Sequence, residues 1–277
     1  MLPSAMQPMP RLKDPRLEEN LERDGYAVVD DLLDAREISR LLEAFKTHDS
    51  PLHRQGFGAS ILSPDFAYRA AVDLDIKAAF APRIDEVFNG YRHCFSNFLV
   101  KAPQAEHGAP LDGEVALHQD PTFVDESRYQ ALNMWCPLVD TNLTNGCLIV
   151  APGTHRLNTG PRGPGTRFPY QELAASFKLR AMPMKAGSAI VFCQKMFHTS
   201  QPNRSAETRV AVAALCAPRD AQLFCYFPDA KHKRMEVFEV DDLFYTHYIF
   251  RSRPEGVPRV GVVDYWHAPL TARQLPG

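Results

Sequence analysis

The fold class that this sequence predicts is mainly β with flanking α-helices: an antiparallel sandwich or barrel preceded by a helical N-terminal lobe. Three observations predict it. From Tyr91 onward the hydrophobic period is two, with β-branched and aromatic runs cut by Gly, Pro and Asn clusters. About nine such runs follow one another with no helix of crossover length between them, Tyr170 to Phe177 being the one candidate exception, which disfavours a parallel, Rossmann-like sheet. The first ninety residues instead carry helical spacing.

Taken in order, residues 1–14 are rich in proline and methionine and read as a mobile arm. Between Pro15 and Arg23, Leu17 and Leu21 stand one helical turn apart, and Gly25 ends that helix ahead of the apolar run Tyr26 to Val29. Asp34 and Glu37 form a capping pattern before Ile38, Leu41, Leu42 and Phe45. Two further helices are expected, over Asp65 to Val72 and Ile76 to Phe88. The strands expected next are Cys94 to Lys101, Val115 to Gln119, Ala131 to Leu138, Cys147 to Ala151, Leu179 to Pro183, Ala189 to Phe192, Arg209 to Cys216, Leu223 to Phe227 and Met235 to Val240. Asn158 to Pro169 holds three Gly and three Pro, and reads as a surface loop able to act as a lid.

Size and charge narrow the function classes. The 277 residues suffice for one large domain, and 31 Lys+Arg against 33 Asp+Glu leave a net charge of -2, with no whole-chain field for nucleic acid or anionic membrane. No apolar stretch approaches the ~20 residues of a bilayer span, and the first residues lack the apolar core of a signal peptide, so a cytoplasmic location is expected. The six cysteines form no C-x-x-C pair and mostly lie in apolar runs, where a thiol acts as a small hydrophobe; they read as reduced core residues.

The sharpest chemical signal is Leu117-His118-Gln119-Asp120, because residues two apart on a strand share a face and can share a metal. In a chain with ten histidines such a pair also arises by chance, as a histidine bonded to a carboxylate. A second cluster lies between Phe192 and Arg209. If the chain turns between Asn203 and Arg204, His198 faces Arg209 across a hairpin and Ser200 joins them by alternation. Arg209 enters the apolar run Val210 to Leu215, and a buried guanidinium calls for a planar anion. Two imidazoles and one carboxylate leave positions open on an octahedral ion, as in two-histidine, one-carboxylate iron oxygenases. Two of those positions suit the oxo-acid end of 2-oxoglutarate, with Arg209 and Ser200 on its far carboxylate and the third position left for dioxygen.

Several motifs in order carry a resemblance: Asn97 to Lys101, His118-Gln119-Asp120, Ala131 to Trp135 followed by Leu138, Asn145-Gly146-Cys147-Leu148, Pro152-Gly153-Thr154-His155-Arg156, and Gly187 through Arg209. Together, about 110 residues resemble the phytanoyl-CoA dioxygenase family of Fe(II)- and 2-oxoglutarate-dependent oxygenases on a double-stranded β-helix, or jelly roll. The resemblance implies that His118, Asp120 and His198 bind iron, and that Lys101, Trp135, Ser200 and Arg209 contact or line the 2-oxoglutarate pocket. Leu117 and Ser188 depart from an aromatic and an acidic residue common in the family, and neither position supplies a ligand. Asp120 argues for oxygenation rather than halogenation, since related halogenases have a small residue there.

The implied activity is oxidation of a C–H bond of a small molecule, hydroxylation first among the outcomes and specialised metabolism the preferred setting, with succinate and carbon dioxide released. A zinc hydrolase on the same three ligands, or a non-catalytic jelly-roll binding protein, are the rival readings. The hydrolase leaves Lys101, Ser200 and Arg209 unexplained, and the binding protein predicts a lost ligand where none is missing. The expected layout is one domain: arm 1–14, helical lobe 15–90, jelly-roll core 91–240 and C-terminal cap 241–277. His155 reads as part of a structural turn. His93, His107, His232 and His247 receive no site role. Lys231 to Arg234, with Arg251, Arg253 and Arg259, reads as a solvated turn or a patch for an anionic substrate, and Tyr265 and Trp266 as core anchors or a cap on the barrel mouth.

Overall fold

A computed structural model describes residues 9–104, 113–157, 159–166, 168–229, 231, 233–271 and 275. Helix α1 (Pro15–Asp24) starts at Asp14, whose carboxylate accepts from the Arg16 and Leu17 amides, and stops at Gly25 in the left-handed region. β1 (Tyr26–Val29) follows, then α2 (Ala35–Thr47), whose N-terminus carries the full Asp34–Glu37 capping box. The short β2 (Gly58–Ala59) precedes α3 (Phe66–Val87), a single 22-residue helix where the sequence suggested two. The polar break around Asp73 accounts for the difference. Asp73 is buried, taking hydrogen bonds from the Ser96 backbone (2.7 Å) and hydroxyl (2.9 Å) and an ion pair from Lys77 (2.8 Å), so it pins the helix to the sheet instead of ending it.

The strands that follow are β3 (Tyr91–Lys101), β4 (Val115–His118), β5 (Leu132–Pro137), β6 (Leu148–Val150), β7 (Arg180–Met182), β8 (Ala189–Cys193), β9 (His198–Ser200), β10 (Arg209–Pro218), β11 (Leu223–Asp229), β12 (Arg234–Val240) and, after the short α4 (Phe244–His247), β13 (Arg259–Asp264). All nine runs expected from the period of two are strands. Tyr170 to Phe177 contains only a 3-10 turn, Gln171–Ser176.

Three antiparallel sheets result, in the orders β1-β8-β5-β10-β3-β2, β4-β9-β6-β7 and β11-β12-β13. The first two face each other as a jelly roll, because one apolar cluster mixes Trp135, Ile190 and Phe192 of the large sheet with Leu148, Val150 and Met182 of the small one. The large sheet's other face packs under α2 and α3 through Phe98, Val100, Val212, Val72, Ile76 and Phe80. All six cysteines are free and buried. Among the described residues no helix is long and apolar enough to cross a membrane.

The expected arm is shorter than 14 residues. Leu12 is 1% exposed and bridges to Phe88, and Arg11 pairs with Glu18 (2.8 Å) and Glu22 (2.6 Å); residues 1–8 lie outside the described residues. The Pro-Gly-Thr-His-Arg segment caps α1. His155 and Arg156 reach the Glu22 carbonyl at 3.1 Å each, and the Gly153 amide donates to Asp24 at 2.9 Å, satisfying the carbonyls a helix end leaves free.

Candidate metal centre and oxo-acid cradle

β4 and β9 are neighbours in the small sheet, with His118 opposite His198. The imidazole centroids stand 4.1 Å apart. Asp120, just past the end of β4, completes the group: His118 Nε2 lies 3.8 Å from Asp120 Oδ1, and His198 Nε2 lies 3.7 Å from Asp120 Oδ2. The three ligand atoms lie within 4.8 Å of one another. An ion about 2.1 Å from each ligand separates neighbouring donors by about 3 Å and opposed ones by about 4.2 Å, so a small closure brings all three onto one cation.

The tautomers suit that use. His118 Nδ1 is 2.8 Å from the Ala116 carbonyl and His198 Nδ1 is 3.1 Å from the Met196 carbonyl. A carbonyl only accepts, so each Nδ1 carries the proton and each Nε2 lone pair is left toward Asp120. Burial, with the second imidazole beside it, pushes His118 down to about 4, which keeps the ring neutral at ordinary pH.

The turn carrying Asp120 is fixed from behind. The Gln119 amide donates to Thr159 Oγ1 (3.3 Å) and the Lys195 carbonyl (2.8 Å), and the Asp120 amide donates to the Gln194 carbonyl (3.2 Å). Arg162 donates through Nε to the Asp120 carbonyl at 2.8 Å, while its terminal nitrogens pair with Glu126 at 2.5 and 2.9 Å. Arg162 belongs to the stretch expected as a lid, yet it is 5% exposed, so this part of the loop clamps the turn that carries Asp120.

The pairing of His198 with Arg209 differs from the expected hairpin. β9 lies between β4 and β6 in the small sheet, whereas Arg209 lies on β10 in the large sheet, opposite Lys101. The connection crosses between sheets because Asn203 ties it down, donating to the Lys101 carbonyl (2.9 Å) and the Glu207 carbonyl (2.8 Å). Ser200 pairs with Val115 and Leu148. The imidazoles and the guanidinium thus belong to facing sheets instead of adjacent strands.

On the large sheet's inner face the registers place Lys101 beside Arg209, then Leu99 beside Ala211, then Asn97, Ala213, Trp135 and Ile190 in one row, and Phe95, Leu215, Asn133 and Phe192 in the next. Arg209 is 3% exposed. Its Nη1 donates to the Leu99 carbonyl (3.0 Å), its Nε has no partner among the described residues, and its guanidinium lies 5.8 Å from the Trp135 ring centroid. Lys101 is fully buried and spends all three N–H groups on the carbonyls of Gly113 (2.6 Å), Ser200 (3.2 Å) and Gln201 (2.6 Å), so it offers charge to a ligand but no free hydrogen. Burial, reinforced by the Arg209 charge, lowers Lys101 to about 7, and burial lowers Arg209 to about 10. Among the described residues no carboxylate forms an ion pair with either cation. Two buried cations and an orphaned guanidinium N–H make a cradle suited to the free carboxylate of an oxo acid.

The remaining candidates fall outside the site. His93 is half-buried and held down to about 3 by desolvation, His247 packs edge-on to Phe66, and His107 and His232 lie outside the described residues. Arg253 and Arg259 both pair with Glu236, and Arg234 with Asp264. Trp266 is 44% exposed and offers its carbonyl to Gly160, which is not core anchoring. Asn133 had no role in the sequence reading, although its place two residues before Trp135 on one strand was the signal available; Arg162 was hidden inside a loop.

A model of the phytanoyl-CoA dioxygenase family matches residues 21–211. The mouse phytanoyl-CoA dioxygenase domain-containing protein 1 is 34% identical over 126 residues, a match covering 42% of this chain and 41% of that protein, less than half of its length. Among solved structures, the epimerase SnoN in complex with Fe3+, alpha ketoglutarate and nogalamycin RO is 26% identical at a TM-score of 0.52, covering 75% of this chain and 84% of its own. The non-heme alpha ketoglutarate dependent carbocyclase SnoK, at 18% identity and a TM-score of 0.52 over 76% of this chain and 86% of its own, shares the fold.

Proposed function

Since the chain belongs to the phytanoyl-CoA dioxygenase family, we propose that it is an Fe(II)- and 2-oxoglutarate-dependent oxygenase that oxidises a C–H bond of a small molecule, by hydroxylation, in specialised metabolism. The observation that carries this reading is the joint presence of an open three-ligand centre and a buried pair of cations with which no carboxylate forms an ion pair among the described residues. A zinc hydrolase would need the first and has no use for the second. A binding protein would need neither a complete ligand set nor two histidines whose tautomers are fixed for coordination.

Iron, held by His118, Asp120 and His198, would supply the activation of dioxygen coupled to decarboxylation of the oxo acid. The chain's own work is binding and exclusion. Arg209 fixes the distal carboxylate, Lys101 adds its charge from behind, and Trp135 and the Ser200 segment wall the cradle. Ala211 and Ala213 supply the small floor between them. The outcome depends on which bond the substrate presents, as an epimerase and a carbocyclase on this fold illustrate.

The test is succinate production from Fe(II), ascorbate and 2-oxoglutarate, with and without candidate substrates. Asp120→Ala should abolish turnover while leaving the fold intact. Full activity in that variant, or zinc-dependent hydrolysis without succinate from the wild type, would refute the reading.

A further inference from the structure

The turn that carries Asp120 is fixed by four hydrogen bonds, two from the Gln119 side chain, one from the Asp120 amide and one from Arg162. That leaves the carboxylate two side-chain torsions of its own. Only one hydrogen bond restrains them among the described residues: Asn133 Nδ2 donates to Asp120 Oδ2 at 2.5 Å. Oδ1 faces His118 Nε2 at 3.8 Å, and Oδ2, while accepting from Asn133, lies 3.7 Å from His198 Nε2.

Asn133, half-buried on β5, is out of place among its neighbours. Its row on the inner face is otherwise apolar, consisting of Phe95, Leu215 and Phe192. An amide among such neighbours costs free energy unless its hydrogen bond returns something. The bond it makes is to a metal-site carboxylate, from the opposite sheet.

We propose that Asn133 is a positioning residue that holds Asp120 by Oδ2, so that the carboxylate presents Oδ1 alone to the metal. This rests on the Fe(II) reading of the site. A carboxylate free to bind through both oxygens takes up one more coordination position, which a chelating oxo acid and dioxygen both require. Partners of this kind commonly set metal affinity as much as the ligands themselves.

The experiment is anaerobic calorimetric titration of Fe(II) into the full-length wild type, Asn133→Val and Asn133→Ala, with apo-protein melting in parallel and the visible charge-transfer band recorded after adding 2-oxoglutarate. Valine keeps the branched shape and strand preference of the site without the N–H; alanine is the independent check should valine perturb packing. The expected result is a 10- to 100-fold weaker Fe(II) affinity in both variants, an apo melting temperature no lower than wild type for Asn133→Val, and a shifted band. Wild-type affinity to within about twofold in either folded variant, with the band unmoved, overturns the role of Asn133 alone. A wild type that binds no Fe(II) overturns the metal centre and this inference together.

Discussion

Replacing Arg209 with methionine should move stability and co-substrate affinity in opposite directions. The guanidinium is 3% exposed, donates one hydrogen bond to a carbonyl, leaves Nε unpartnered and stands opposite Lys101. Its lowering to about 10 by burial corresponds to a few kcal/mol of disfavoured charge. Methionine fills similar volume without that charge, so the apo protein should melt higher by about 2 to 6 °C, taking roughly 2 °C per kcal/mol for a chain of this size. The loaded protein loses a buried charge-assisted contact worth about 2 to 5 kcal/mol, equivalent to roughly 30-fold to several thousand-fold weaker binding of 2-oxoglutarate. Melting curves with and without Mn(II) and 2-oxoglutarate, together with KM for each substrate in the succinate assay, read both effects. A variant that melts lower and keeps its 2-oxoglutarate KM would show the guanidinium to be a structural donor to Leu99. Equal changes in both KM values would also sink the assignment.

Three further outcomes test other parts of the architecture. Lys101, lowered to about 7, loses its proton in the free protein above that pH, while a bound dianion beside it favours the charged form; affinity for 2-oxoglutarate should fall as pH rises above 7, with up to one proton taken up per ligand. Calorimetry in buffers of different ionisation enthalpy checks this, and no proton uptake at pH 8 would contradict it. Arg162→Ala strands Glu126, 17% exposed at its side chain, and should cost about 3 to 5 kcal/mol in chemical denaturation, with part of the loss recovered in the Arg162→Ala, Glu126→Gln double variant. Gly25→Ala forces a side chain onto φ 87° with its Cβ 2.4 Å from His155 Nδ1, so it should destabilise by about 1 to 3 kcal/mol, partly relieved by adding His155→Ala.

What was legible in the sequence follows from how local each signal is. The capping box at Asp34, the glycine stop at Gly25 and the strands of period two are written within a few residues of where they act, and the structure repeats them. The single helix over Phe66–Val87 was illegible because the residue that reads as a break, Asp73, is satisfied by Ser96, distant in sequence. β9 was invisible for a related reason: three residues, His-Thr-Ser, have no strand pattern of their own and are held as a strand by β4 and β6 on either side.

That loss matters for the site, because a hairpin read from sequence symmetry puts His198 and Arg209 on one sheet and makes their convergence a matter of register. The structure instead sets the two groups on facing sheets. The ligands project from the small sheet, while Arg209 and Trp135 project from the large one, and Asn133 crosses the gap to touch Asp120. The spacing between the His118, Asp120 and His198 group and Arg209 is therefore set by the packing of two sheets, through Leu148, Val150, Ile190 and Phe192, more than by any strand register. Substitutions in that inter-sheet core, several residues from any ligand, should for this reason shift 2-oxoglutarate affinity as readily as they shift stability.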